Sequence, residues 1–114
     1  MNYLLKNGDA HLKNFGLLFS RDFTTTKFAP AYDVVTTTAY IFKDKPALSM
    51  DGKKIWHSKD TLVNFGKKYC LLSQKEALKS YEECKESLVQ SIEELQEYIE
   101  KNPHFKTVGQ RMLD

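Results

Sequence analysis

Between Leu78 and Ile99 the apolar residues Leu78, Tyr81, Cys84, Leu88, Ile92, Leu95 and Ile99 recur at steps of three and four. That period lays one apolar stripe along one face of an α-helix. Charges such as Lys79, Glu82, Glu86 and Glu93 fall opposite it and read as a solvated face. The helix also carries its own start and stop. Ser73-Gln-Lys-Glu76 matches a capping box, and Leu72 is placed to staple onto Ala77. Asn102-Pro103 ends the run near residue 101 and supplies an N-cap and a first-position proline for a short final helix, in which Phe105, Val108 and Met112 share a face. Upstream, Ser58 reads as the N-cap of another helix, with Asp60 in its first turn, Leu62, Val63, Phe65 and Tyr69 as apolar contacts and Lys67-Lys68 near its end.

Before Ser58 the period is different. Phe15-Gly-Leu-Leu-Phe19 reads as a short buried strand, Ser20-Arg-Asp22 as a turn and Thr24–Phe28 as a β-branched partner strand. Pro30 ends the hairpin ahead of Tyr32-Asp33. Residues 3–8 read as a strand or loop running into a turn at Asn7-Gly8, where positive φ is tolerated and Gly8 allows a close backbone approach. Residues 36–56 read as a loop with a weak strand or two around the Asp51-Gly52 turn, with Trp56 as a packing anchor. The expected fold is therefore α+β, mainly α. A short N-terminal hairpin, within residues 1–57, precedes a small helical bundle, 58–114, in one domain of 114 residues.

Chemistry concentrates in Asn7-Gly-Asp-Ala-His-Leu-Lys-Asn-Phe-Gly16 and in Ala-Tyr-Asp33-Val-Val. Asp9 and Asn14 stand five positions apart, and Asp33 follows after the hairpin. In kinase catalytic loops an Asp receives the proton of the attacking hydroxyl, an Asn on the same loop holds magnesium, and a later Asp bridges metal and phosphates. The D-x-x-x-x-N spacing recurs by chance, so the residues within it matter more than the spacing.

Asp9-Ala-His11-Leu-Lys13-Asn14-Phe, followed by Phe28-Ala-Pro-Ala-Tyr-Asp33, resembles the catalytic segment of HipA-like serine/threonine kinases, the toxins of bacterial toxin–antitoxin pairs. The similarity continues more weakly through Pro46-Ala-Leu-Ser-Met50 and into the helical region. It implies Asp9 as catalytic base, Asn14 and Asp33 as magnesium ligands, and secondary contacts from His11 and Lys13 to the loop or to phosphate. It implies Mg2+ and ATP as cofactors of the complete enzyme, and a protein substrate, in some relatives an aminoacyl-tRNA synthetase. A HipB-like antitoxin is an expected partner.

A kinase also needs a phosphate-covering loop and a phosphate-pairing lysine ahead of the catalytic loop. Eight residues precede Asp9, the five glycines are dispersed, and neither G-x-G-x-x-G nor G-x-x-x-x-G-K-[ST] occurs. The ATP-clamping lobe is accordingly expected from a second chain or an N-terminal segment, with the chain inactive alone. The rival reading is a non-catalytic module that binds an antitoxin, a kinase subunit or itself as a homodimer.

Seventeen basic and fifteen acidic residues mix along the chain for a net charge of +2, which argues against a nucleic-acid-binding face. No run approaches a membrane span or a signal peptide, so a cytoplasmic protein is expected. Cys70 and Cys84 lack a metal-finger spacing and read as reduced, partly buried thiols.

Overall fold

The capping signals set the helical half. In the computed structural model, which describes residues 1–114, α1 spans Lys59–Tyr69, α2 spans Gln74–Lys101 and α3 spans Lys106–Leu113. The Ser58 side chain accepts the Thr61 N–H at the start of α1. At α2 the capping box closes both ways: Ser73 Oγ accepts from the Glu76 N–H, and the Glu76 carboxylate accepts from the Ser73 N–H at 2.8 Å. Leu71 sits in the left-handed region at φ 56°, which reverses the chain, and the Leu72 N–H reaches back to the Gly66 carbonyl. Leu72 and the buried Ala77 then both pack beside Gly66, so α1 and α2 lie against each other. Lys59 and Glu82 pair across the two helices. Glu82 is thus a cross-helix partner as well as part of the polar face.

Pro103 opens a 3-10 turn, Pro103–Phe105, that leads into α3. Asn102 does not cap that turn. Its amide donates instead to the Tyr98 carbonyl at 2.8 Å, so it finishes α2. Gly109 of α3 is buried against Ile99, where a Cβ would stand 2.3 Å from Ile99 Cγ1, and Phe105 meets Tyr98 edge to face at 5.3 Å.

The hairpin forms with β1 at Leu17–Phe19 antiparallel to β2 at Thr26–Phe28, in the register Leu17 to Phe28 and Phe19 to Thr26. Asp22 builds its turn. The carboxylate accepts from Ser20 Oγ at 2.6 Å and from Thr24 Oγ1 at 2.9 Å, and these bonds hold its pKa below the ordinary value. The expected burial of the first strand is not found, because every residue of both strands is exposed and no second layer covers either face. Residues 1–7 form a helical turn rather than a strand, with backbone N–H groups of residues 4–7 bonding three to five positions back. In the 36–56 region the extended structure reduces to one bridge, Met50 to Lys53. Asp51 at φ 51° and Gly52 at φ 76° form the two-residue turn between them. Trp56 anchors this region: its Nε1 donates to the Asp44 carbonyl at 3.0 Å and its ring meets Tyr3 edge to face.

The core lies where the N-terminal turn, Pro46–Met50, α1 and the first half of α2 converge around a cavity of about 590 Å3: three of the five buried apolar residues, Ala10, Val63 and Ala77, line it, while Ile99 is buried against α3. It is thin. Nine residues are buried, mostly small ones, and no large side chain is fully enclosed. Ile99 is buried, but the rest of the α2 stripe is only half-covered. Cys70 is exposed, not partly buried as its sequence context suggests, because it follows the last turn of α1, while Cys84 is half-buried. The accessible surface is 8879 Å2. A folded monomer of 13.2 kDa would expose about 6,400 Å2. The radius of gyration, 16.4 Å, likewise exceeds the ~13 Å of a compact chain of this length. No helix is long and apolar enough to cross a membrane.

Candidate functional site

The catalytic-type loop is organised by a residue that its motif does not advertise. Asn7 is 2 % exposed. Its Oδ1 accepts from the Asp9 N–H at 3.1 Å, while its Nδ2 donates to Asn2 Oδ1 at 3.1 Å and to the Asp33 carbonyl at 3.3 Å. One buried amide therefore ties Asp9 to Asp33 across 24 residues of chain. A buried amide with these partners is stable only while all are present, because each one lost leaves a desolvated polar group.

Gly8 is pinned next to it. Its N–H donates to Thr37 Oγ1 at 2.8 Å, and Thr37 Oγ1 donates in turn to the Lys6 carbonyl at 3.1 Å. A Cβ on Gly8 would stand 2.0 Å from Asp44 Oδ2 and 2.8 Å from Thr37 Oγ1, so a larger residue here would have to displace the Asp44 side chain and crowd Thr37. The positive φ expected at Asn7-Gly8 falls one residue earlier, at Lys6, φ 51°.

Leu12–Asn14 then forms a single 3-10 turn. The His11 N–H donates to the Asp9 carbonyl at 2.8 Å and to Asn14 Oδ1 at 3.0 Å. That second bond orients the Asn14 amide so that its Nδ2 faces Asp33 Oδ2 at 2.7 Å. The hairpin returns the chain for this contact, and the Tyr32 hydroxyl, bonded to the Lys13 carbonyl, fixes the second crossing. Asp33 itself lies outside regular structure at φ 54°, a left-handed conformation that an Asp tolerates better than most residues.

Asn14 and Asp33 are thus brought together. Asp9 is exposed and its carboxylate accepts no hydrogen bond from the chain, which leaves both oxygens open to a substrate. Lys13 is exposed with an unpaired ammonium. His11 contributes its backbone N–H to the loop, whereas its ring Nδ1 is buried without a partner. The Asp33 carboxylate suits a hard cation such as magnesium, which takes one or two protein ligands and completes its shell with water and phosphate. Asn14 turns its Nδ2 toward Asp33 and its Oδ1 toward the His11 N–H, and would have to rotate its amide to share that cation. The chain holds no cluster of three or more His, Cys, Asp or Glu side chains that would bind a metal unaided.

Sequence reasoning missed Asn7 and Thr37. The Asn-Gly pair signals a turn, but nothing in the spacing shows that its amide bridges two loops, and Thr37 is indistinguishable from Thr36 and Thr38. A family model described as "HipA-like C-terminal domain" matches residues 1–92. No curated protein and no solved structure matches the chain.

Proposed function

The chain belongs to the HipA-like C-terminal domain family, and on that premise we propose that it is the C-terminal portion of a HipA-like serine/threonine protein kinase. The contact that carries this reading is Asn14 Nδ2 to Asp33 Oδ2 at 2.7 Å, with Asn7 holding Asp9 and Asp33 to one frame. Residues 1–57 supply the loop and 58–114 the helical support, within a single functional unit.

Each residue has a role in phosphoryl transfer. Asp9, whose carboxylate is free, accepts the proton of the attacking Ser or Thr hydroxyl and aims its oxygen at phosphorus. Asp33, with the Asn14 amide turned to present its oxygen, would hold magnesium, which would neutralise charge on the ATP phosphates when bound. Asn14 keeps its position through the His11 N–H, and Lys13 stands free to meet a phosphate oxygen. Positioning and electrostatics supply nearly all the catalysis in this chemistry, so the unit depends on an ATP-clamping lobe from a second chain or another segment. The apolar residues left exposed on the loop half, including Phe15, Leu17 and Phe28, are suited to such a contact or to an antitoxin.

The test is phosphotransfer from magnesium-ATP by the chain together with the partner that co-purifies with it. Asp9→Asn should lower the rate by about 10^2–10^4-fold, and Asp33→Asn should abolish it, with helical circular dichroism unchanged. Undiminished transfer in Asp9→Asn would sink the assignment. The large exposed surface favours a second reading, a non-catalytic interaction module. In that case both variants capture the partner normally and no preparation transfers phosphate.

A further inference from the structure

Five cations that are dispersed in sequence share one cavity in space. Lys6, Lys43, Lys45, Lys54 and Arg111 line a hollow of about 690 Å3 between the 38–45 turn, Lys54–Trp56 and the end of α3. None of the five belongs to any of the chain's four ion pairs. Two carboxylates, Asp44 and Asp114, also line it. Asp44 is partly committed elsewhere, since its Oδ1 accepts from the Lys45 N–H and its Oδ2 lies close against Gly8. Arg111 Nη1 also donates to the Ala39 carbonyl at 3.4 Å, but the balance of the lining residues is cationic, and cations gathered around one hollow attract a polyanion.

Aromatic rings stand among these charges. Trp56 is fixed as a wall by its bond to the Asp44 carbonyl. Tyr40 is 64 % exposed and Phe42 88 % exposed at the rim, a placement that leaves apolar ring faces in water without an internal partner. Cations for phosphate interleaved with rings for stacking are the elements of single-strand and nucleotide recognition. The volume falls within the usual range of small-ligand sites. Asp9, Asn14 and Asp33 do not line this hollow, which adjoins the kinase-type loop only through Lys6 and Asp44 beside Gly8.

We propose that this cavity binds a nucleoside phosphate, with its phosphate on the lysines and Arg111 and its base against Phe42 or Tyr40. The group comes either as a free mononucleotide or as one residue of a single strand. The mixed charge order along the sequence points away from nucleic acid. The fold changes that expectation by gathering residues from positions 6, 43, 45, 54 and 111.

Trp56, the only tryptophan, reports on the cavity by its fluorescence. The full chain is titrated in EDTA, which keeps divalent metal from the Asn14–Asp33 pair, with AMP, a uridine oligonucleotide, inorganic phosphate and a DNA duplex. Saturable changes with AMP and with the single strand are expected. A much tighter, salt-sensitive strand assigns the ligand to nucleic acid, and comparable affinities assign it to free nucleotide; both support the proposal. The double variant Lys43→Glu/Lys54→Glu should weaken binding by about tenfold or more, and Phe42→Ala by about tenfold. Asp33→Asn should leave it unchanged. The proposal is overturned if neither AMP nor the strand gives saturation, if phosphate or duplex binds as tightly as they do, or if Asp33→Asn removes binding. The last result would place the ligand on the kinase-type loop.

Discussion

The loop half and the helical half of this chain are held together by different kinds of force. From Met1 to about Trp56 the backbone has one exposed hairpin and otherwise turns, and apart from the Tyr3–Trp56 ring contact the ties that place its site loop are single polar bonds: Asn7 to Asp33, Thr37 to Gly8, Asn14 to Asp33, Trp56 to Asp44. From Ser58 onward the ties are graded apolar contacts, Leu72 and Ala77 at Gly66 and Ile99 at Gly109, framed by side-chain caps. A polar bond is made or lost whole, whereas apolar contact declines by degrees. The loop half can therefore hold site residues in a defined relation with little core, and the helical half can absorb substitution without losing its shape.

The sharpest way to break that comparison is Asn7→Ala. It leaves the Asp9 N–H, the Asp33 carbonyl and Asn2 Oδ1 without their buried partner and should cost about 2–3 kcal/mol in urea unfolding. Amide spectra should shift at Asp9 and Asp33 while the helical circular dichroism persists. If the helices melt with the loop, the two halves are one cooperative unit and the contrast fails. A smaller effect is expected on the other side. Ser73→Ala removes one cap and should cost about 1 kcal/mol, with the loss of helicity confined to the first turns of α2 and the spectrum of the Asn7 loop unmoved.

The smallest effect is in acid. The Ser73 hydroxyl, and then the Ser73 N–H, hold the Glu76 carboxyl below its ordinary value of 4.5. A carboxylate depressed in the folded state stabilises fully above its unfolded value and loses that contribution as pH falls through the folded one. The start of α2 should therefore fray below about pH 4.5. In Ser73→Ala that acid dependence of the helical signal should flatten, and a persistent dependence would assign it to another group.

The helical half was the more legible from sequence because its signals are local. Ser58, Ser73 with Glu76, and Pro103 each act within a few residues of themselves, and α2 ends at Lys101, where the Asn-Pro pair placed it. The hairpin was legible for the same reason, but its exposure was not, since a strand's own residues do not say whether another layer covers them. In the loop half, D-x-x-x-x-N with a later Asp marked Asp9, Asn14 and Asp33, and the structure brings the latter two into contact. Asn7 escaped because its decisive partner is 26 positions away. The cationic hollow escaped because its members come from four separate stretches of chain.

The surplus surface has a thermodynamic consequence. Unfolding raises heat capacity mainly by wetting apolar groups. A chain that already exposes Phe28, Phe42 and Leu71 and leaves most of its α2 stripe half-covered has fewer such groups left to wet. Its stability curve is therefore shallow, with a small unfolding enthalpy and a broad thermal transition. A partner that covers those residues would steepen the curve, so the partner would set how sharply this chain melts.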